Sequence, residues 1–317
     1  MATSVLSNAQ LRPGRLRSVR KRRWLIAAGL ALLLAAGLFV WHIKRGVESD
    51  AHPVRVVMTR EERATTLQAL PGARDVTFRT VDGLTLSGWY APGTNGAAVV
   101  LTHGAWSNRS QLTPEASRLL ARGYGVLVYD LRANGESEGD LFTWGDRESR
   151  DVLAAVDFAA AQAGVTHLGA VGFSVGATAL SSAAAKDRRI EAFVLEGATP
   201  SLLEAEQWEN RRYYGIPTYP SLQMYRWYGW NVDAIDIVSP LRTMAPRPTL
   251  IVIGSEDPFI PRWMTDEVVA AAPQPKAEYT VVGAGHGGYA THGGVAYFDR
   301  LVGFFDRYLA PEGARAP

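Results

Sequence analysis

The apolar positions of this chain follow two patterns that meet near residue 74. Before it, residues 24–41 read WLIAAGLALLLAAGLFVW, eighteen positions without a charge and apolar on every side. Beyond it, short runs recur at intervals. Residues 76–80 and 84–90 alternate apolar and polar positions on either side of Asp82-Gly83, the pattern of a β-hairpin. The runs at 97–102, 125–129, 168–173, 190–195, 249–253 and 279–282 are apolar at nearly every position. Strands buried on both faces of a parallel sheet read in this way.

Helical spacing fills the intervals. Thr113-Pro114-Glu115 reads as a cap followed by proline at the first helical position, leading into residues 116–121. Residues 147–161 carry Val152, Val156, Ala159 and Ala160 at helical spacing, and 175–185 is a small, apolar stretch suited to lie against a sheet. Phe298, Leu301, Phe305 and Tyr308 form the stripe of a closing helix. Strands alternating with helices predict one α/β domain over residues 74–310, built on a doubly wound, mostly parallel sheet. One interval breaks the rhythm: residues 198–243 hold Trp208, Tyr213, Tyr214, Tyr219, Tyr225, Trp227, Tyr228 and Trp230. An aromatic-rich lid inserted over a site is expected there.

As a helix, residues 24–41 would span about 27 Å, close to the ~30 Å hydrocarbon core of a bilayer. Trp24 and Trp41 stand at its ends, where indole rings favour the membrane interface. Arg12, Arg15, Arg17, Arg20, Lys21, Arg22 and Arg23 precede it, with no acidic residue. The positive-inside rule then predicts a single-pass anchor, with residues 1–23 cytoplasmic and the domain on the extracytoplasmic side. Residues 42–73 are expected to be a polar tether in which Glu61-Glu62-Arg63 opens a short helix, and 311–317 a tail. Two other readings compete. A cleaved signal peptide has the same charge order, but its apolar run is usually about 7–15 residues and ends in small side chains. Here Leu38-Phe39-Val40-Trp41 is bulky. A buried core helix would need a neighbouring domain to cover both faces. Lys44 and Arg45, beyond the run, reduce the charge asymmetry.

Charge narrows the choice of partner. The chain has 33 basic and 31 acidic residues, but nine of the basic ones lie before residue 46 and none of the acidic ones do. The remainder, 24 basic against 31 acidic, carries a net charge of −7. A nucleic-acid surface needs the opposite sign on the folded part, so that partner is excluded. The absence of cysteine excludes disulfides, thiolate nucleophiles and cysteine-ligated metal centres. No cofactor and no metal are expected.

Gly172-Phe173-Ser174-Val175-Gly176 fits G-x-S-x-G, and the serine falls between an apolar strand and a helical stretch. A sharp turn at that junction lifts the hydroxyl above the sheet, and the helix N-terminus offers N–H groups to developing negative charge. A serine needs a base to become nucleophilic. Among His42, His52, His103, His167, His286 and His292, only His286 sits in a glycine-rich loop directly after a strand, in Gly283-Ala284-Gly285-His286-Gly287-Gly288. The base needs an acid to fix its tautomer. Asp257 follows the 249–253 strand; Glu256 is its neighbour and rival, and Asp130, at the end of an earlier strand, is a further alternative. Two amides are needed for an oxyanion. Val175 and Ala105, the latter in the loop Thr102-His103-Gly104-Ala105-Trp106, are the candidates, with His103 in a packing role.

Together these pieces resemble the α/β-hydrolase superfamily, in its branch of serine esterases, monoacylglycerol-lipase-like and serine-aminopeptidase-like enzymes. The resemblance rests on His103-Gly104-Ala105, on Asp130-Leu131-Arg132-Ala133-Asn134-Gly135-Glu136-Ser137-Glu138-Gly139, on residues 172–176 and 254–261, and on Gly285-His286, all in the family's order. Ala133-Asn134 departs from it, where relatives more often carry glycine and a polar or aromatic residue. The resemblance implies Ser174 as nucleophile, Asp257 as acid, His286 as base and the Ala105 and Val175 amides as oxyanion donors, with the 130–139 loop structural. The expected activity is acyl-ester cleavage through an acyl-serine intermediate, on a small or lipid-like acyl substrate. An amidase or peptidase of the same fold, and a non-catalytic binding protein on this scaffold, are the alternatives.

Overall fold

The computed structural model describes residues 13–215 and 217–309, and the side chains of these other than 13–19 and 214. The expected basic segment before residue 13 and the tail at 311–317 lie outside the described residues. The chain divides into two units after Gly46.

The first unit is helical. Helix α1 runs Pro13–Ala51, and its apolar window has a mean hydropathy of 2.3 with none of it buried. It is long and apolar enough to cross a membrane, a property that a signal sequence shares. The expected boundary at residue 41 is not a helix end. Residues 42–51 contain no proline and continue the helix, which stops just before the His52-Pro53 pair, where proline disfavours helical geometry in the preceding residue.

The second unit begins with residues that were expected to be a tether and instead lie on its surface. Arg55 donates to the carbonyls of Asn134, Gly135, Ser137 and Gly139, and the Asn108 side-chain amide donates to the Val56 carbonyl. Helix α2 (Arg60–Gln68) opens with a reciprocal capping box between Thr59 and Glu62.

There follow β1 (Arg74–Arg79), β2 (Thr85–Ala91), β3 (Ala97–Thr102), α3 (Thr113–Ala121), β4 (Gly125–Tyr129), α4 (Glu148–Ala160), β5 (His167–Phe173), α5 (Val175–Lys186) and β6 (Ile190–Glu196). The 198–243 segment contains α6 (Leu202–Glu209), a π-helical turn at Asn210–Tyr214, α7 (Tyr219–Trp227), a 3-10 turn at Val232–Ala234 and α8 (Val238–Thr243). The domain closes with β7 (Thr249–Gly254), α9 (Arg262–Ala271), β8 (Lys276–Val281) and α10 (Tyr289–Tyr308). The expected cap at Thr113 is displaced by one residue: Leu112 occupies that position without a side-chain bond, and Thr113 begins the helix.

The eight strands form one sheet in the order β1-β2-β4-β3-β5-β6-β7-β8, antiparallel at β1-β2 and β2-β4 and parallel elsewhere. This is the mostly parallel, doubly wound sheet that the apolar runs predict. The period of two along each strand supplies two cores. Ala98 and Val100 of β3 join Leu127 and Tyr129 of β4 on the side covered by α4 and α5. Ala97, Val99 and Leu101 join Val126 and Val128 on the side covered by α3 and α10. Each fully buried Val or Leu contributes about 1.5–3 kcal/mol, so both faces are strongly specified. The parallel strands all end at one edge, and the turns after β3, β5, β7 and β8 meet there.

Candidate active site

At the carboxyl end of β5 the backbone turns so sharply that Ser174 takes φ 52° and ψ −117°, a conformation L-residues rarely hold. The surroundings enforce it. A Cβ on Gly172 would lie 2.4 Å from the Gly176 carbonyl oxygen, and one on Gly176 would lie 2.3 Å from the Thr102 carbonyl oxygen. Only glycine at both positions lets α5 fold back against β3, and the serine between them is lifted above the sheet.

The other two loops are fastened to one another. A Cβ on Gly254, the last residue of β7, would lie 2.2 Å from the Ala284 carbonyl oxygen, so glycine there lets the loop after β8 cross over it. The Glu256 amide donates to the Ala284 carbonyl at 2.9 Å, and the Gly283 amide to Ser255 Oγ at 2.8 Å. Between these anchors His286 projects toward Ser174. Its Nε2 lies 3.0 Å from Ser174 Oγ and its Nδ1 lies 2.8 Å from Asp257 Oδ2. The Asp257 carboxylate is 1% exposed, and its other oxygen accepts from the amides of Phe259 and Ile260 at 2.9 and 3.0 Å. Those bonds leave Oδ2 aimed at the imidazole. Phe173 and Phe259 pack against the ring, with centroids 5.2 and 5.5 Å away.

Neither alternative acid reaches His286. Glu256 is exposed and meets the His286 loop only through its backbone. Asp130 is fully buried in another role: it receives the Arg109 amide and guanidinium and the Glu136 amide, holding the 130–139 turn. His103 is buried and accepts from the Leu131 amide through Nε2, and burial lowers its pKa, as suits a neutral packing histidine. His167 pairs with Glu191 at the start of β5, and His292 lies against the Gly288 carbonyl in the first turn of α10.

The Ser174 amide is taken by the Glu196 carbonyl at 2.7 Å, and the Gly104 amide by Gln111 Oε1 at 2.8 Å. The next amide in each loop, Val175 and Ala105, donates to no acceptor among the described residues. Val175 follows Ser174 directly, and Ala105 follows Gly104, where a Cβ would lie 3.2 Å from that of Ser174.

Sequence reasoning missed three features around this site. Glu196, at the end of β6, is buried and shares the Tyr297 hydroxyl with buried Glu115, at 2.5 and 3.1 Å. Burial raises both carboxyls, Glu196 to about 8. A charge closing an otherwise apolar strand was its only signal. Glu209 of α6 is raised by burial and by Glu206, with the His286 imidazole acting in the opposite direction. Trp106 holds φ 52° beside Ala105 and meets Trp144 edge-on at 5.3 Å. Among the described residues no group of three or more His, Asp or Glu side chains is placed to hold a metal.

Residues 99–300 match the sequence profile of the alpha/beta hydrolase family, and the chain belongs to that family. An uncharacterised protein of Mycobacterium tuberculosis is 29% identical over 278 residues, 85% of this chain and 90% of that one. A polyketide transferase of Stachybotrys chlorohalonatus is 37% identical over 130 residues, 38% of this chain and 42% of that one. Among solved structures, the esterase Pf2001 of Pyrococcus furiosus superposes with a TM-score of 0.70 at 22% identity, over 82% of this chain and 98% of that one. Est1E of Butyrivibrio proteoclasticus, solved with ferulic acid bound, gives 0.60 at 18% identity, over 73% and 98%. At these identities the structures share the fold.

Proposed function

We propose that this protein is a membrane-anchored serine hydrolase that cleaves acyl esters, of the serine-esterase and monoacylglycerol-lipase-like kind. One observation carries the reading: Ser174 Oγ, the two nitrogens of His286 and Asp257 Oδ2 form a continuous chain with links of 3.0 and 2.8 Å. In this reading His286 Nε2 takes the serine proton as Oγ attacks the ester carbonyl. The tetrahedral oxyanion is held by the Val175 and Ala105 amides, worth about 10²–10³ in rate for each such donor. His286 returns the proton to the departing alkoxide, leaving acyl-Ser174. Water, deprotonated by the same nitrogen, then releases the acid and restores the hydroxyl. Asp257 holds the Nδ1–H toward itself throughout and stabilises the imidazolium.

The apolar helix supports the anchor. None of its window is buried, charge precedes it, and its bulky end at residues 38–41 lacks the small residues of a cleavage site. The N-terminus is then cytoplasmic and the catalytic domain extracytoplasmic. Turnover of p-nitrophenyl acyl esters of graded chain length, beside aminoacyl-nitroanilides, tests the chemistry. Esters turned over well above nitroanilides, and by wild type but not Ser174→Ala, are the expected result; nitroanilide preference would make the enzyme an amidase.

A further inference from the structure

Helix α7 has two dissimilar sides. Ser221, Leu222 and Tyr225 are buried, whereas Tyr219, Gln223, Arg226 and Trp227 face outward. At 100° per residue the four outward positions occupy an arc of about 100°. Trp227 is 78% exposed and Tyr219 69%. Single exposed aromatics are ordinary on soluble surfaces. Two at the ends of one narrow face, with Gln and Arg between them, have the composition of a helix lying in a membrane interface.

The buried side of α7 shows where that face is held. Tyr225 donates its hydroxyl to Asp50 Oδ2 at 2.6 Å, and Glu206 Oε1 lies 3.2 Å away; its ring stacks on Trp230 at 4.3 Å. His52 meets Tyr228 edge-on at 6.1 Å. Residues 50–52 are therefore fastened to α7. Trp41, the last residue of the apolar run, lies nine positions before Asp50 in the sequence. The same insertion reaches the catalytic loops. Glu206 belongs to α6, the π-helical turn follows it, and Tyr213 donates to the Pro258 carbonyl at 3.2 Å, beside the Phe259 ring that faces His286.

We propose that α7 is an interfacial helix whose outward face rests in the headgroup layer of the bilayer, and that the substrate is an acyl-ester lipid drawn from that layer. This rests on the anchored serine-hydrolase reading above. Indole and phenol rings place an apolar body among acyl chains and a polar tip among headgroups. The guanidinium of Arg226, which also pairs with exposed Asp233 at 3.0 Å, supplies a donor to lipid phosphates.

The chain contains no cysteine, so a single introduced thiol reports on one place. Full-length Gln223→Cys, on the outward face, and Lys186→Cys, at the exposed far end of α5, are labelled with bimane and reconstituted into phosphatidylcholine–phosphatidylglycerol vesicles carrying headgroup or shallow acyl quenchers. The bimane at 223 is expected to be quenched at least threefold more than that at 186. The pair Tyr219→Ala and Trp227→Ala, both exposed and so tolerated by the fold, is expected to cut hydrolysis of vesicle-borne acylglycerol about tenfold and that of a soluble short-chain ester less than twofold. Equal quenching at 223 and 186, in protein that a fluorophosphonate still labels and alkaline washing leaves in the membrane, would overturn this inference alone. Lipid-independent quenching between labelled copies would overturn it in favour of a dimer face. Loss of labelling or extraction of the protein by the wash would overturn the underlying reading as well.

Discussion

The turns at the carboxyl edge of the sheet and the insertion at 198–243 solve opposite problems. At the edge, glycines at 172, 176 and 254 leave the backbone one path, because a methyl group at any of them would meet a carbonyl oxygen within 2.4 Å. The Ser174–His286–Asp257 chain is therefore set by steric exclusion and backbone hydrogen bonds. The insertion combines apolar packing, with Ile237, Val238 and Leu241 in the core, and a cluster of shared polar side chains. Asp50, Glu206 and Tyr225 share bonds in its interior, with Ser221 donating to Glu206 at 2.9 Å, while Tyr219 and Trp227 stay exposed. Burial pushes Asp50 up to about 7 and raises Glu206 and Glu209. The comparison teaches where geometry is overdetermined: at the edge steric exclusion fixes the backbone, whereas the insertion adds buried carboxyls bonded to one tyrosine.

The largest effect expected is at the edge. Asp257→Asn keeps the shape of the site but stops holding the Nδ1–H, and kcat is expected to fall about 10⁴-fold. Glu256→Gln, one residue away and exposed, is expected to change kcat less than twofold; steady-state kinetics on a soluble ester separates the two. Comparable losses in both would break the assignment of a single acid.

Asp130→Ala sharpens the distinction between a residue that builds the edge and one that acts on substrate. It leaves the Arg109 guanidinium, 1% exposed, without its buried partner. A loss of about 3–5 kcal/mol in denaturant unfolding is expected, as for other broken buried pairs. The fraction that remains folded is expected to keep its turnover per molecule.

A smaller effect separates the regions by pH. Carboxyls whose pKa is raised on folding contribute fully at acid pH and lose that contribution as pH rises through the folded value. For Glu196 the loss runs from the ordinary 4.5 up to about 8, and for Asp50 from 3.8 up to about 7. Glu196→Gln keeps an oxygen for Tyr297 and Asp50→Asn keeps one for Tyr225. Each is expected to leave Tm unchanged near pH 4 and raise it by a few degrees at pH 8, with Glu196→Gln the larger because its site is the more deeply buried. A Tm for either variant that falls as steeply with pH as the wild type's would remove the raised carboxyl from this account.

The two regions also differ in how much of them the sequence disclosed. Runs such as 97–102 and 125–129 are apolar at nearly every position, and both coincide with strands end to end. The elbow was readable because its glycines flank Ser174 at fixed spacing, and the histidine loop because Gly283, Gly285, Gly287 and Gly288 cluster after a strand. The rest left no local trace. Asp50 and Tyr225 are 175 residues apart, and Glu115 and Tyr297 are 182 apart, so neither pairing imprints a period or a motif. The continuation of α1 to Ala51 was hidden by polarity: residues 42–51 read as a solvated tether because helix and linker share charged side chains, and only Pro53 marks the stop. Asp130 was legible as a strand-end acid and not as a buried partner of Arg109, because type and position match in both roles.

Covalent capture at residue 174 tests the central claim most directly. The full-length protein is treated with a fluorophosphonate, digested, and searched by mass spectrometry for the adduct. The account predicts the phosphonyl group on Ser174 in the wild type, no adduct in Ser174→Ala, and labelling slowed at least a thousandfold in His286→Ala. Equal labelling of wild type and Ser174→Ala, or an adduct on another residue with Ser174 untouched, would contradict it.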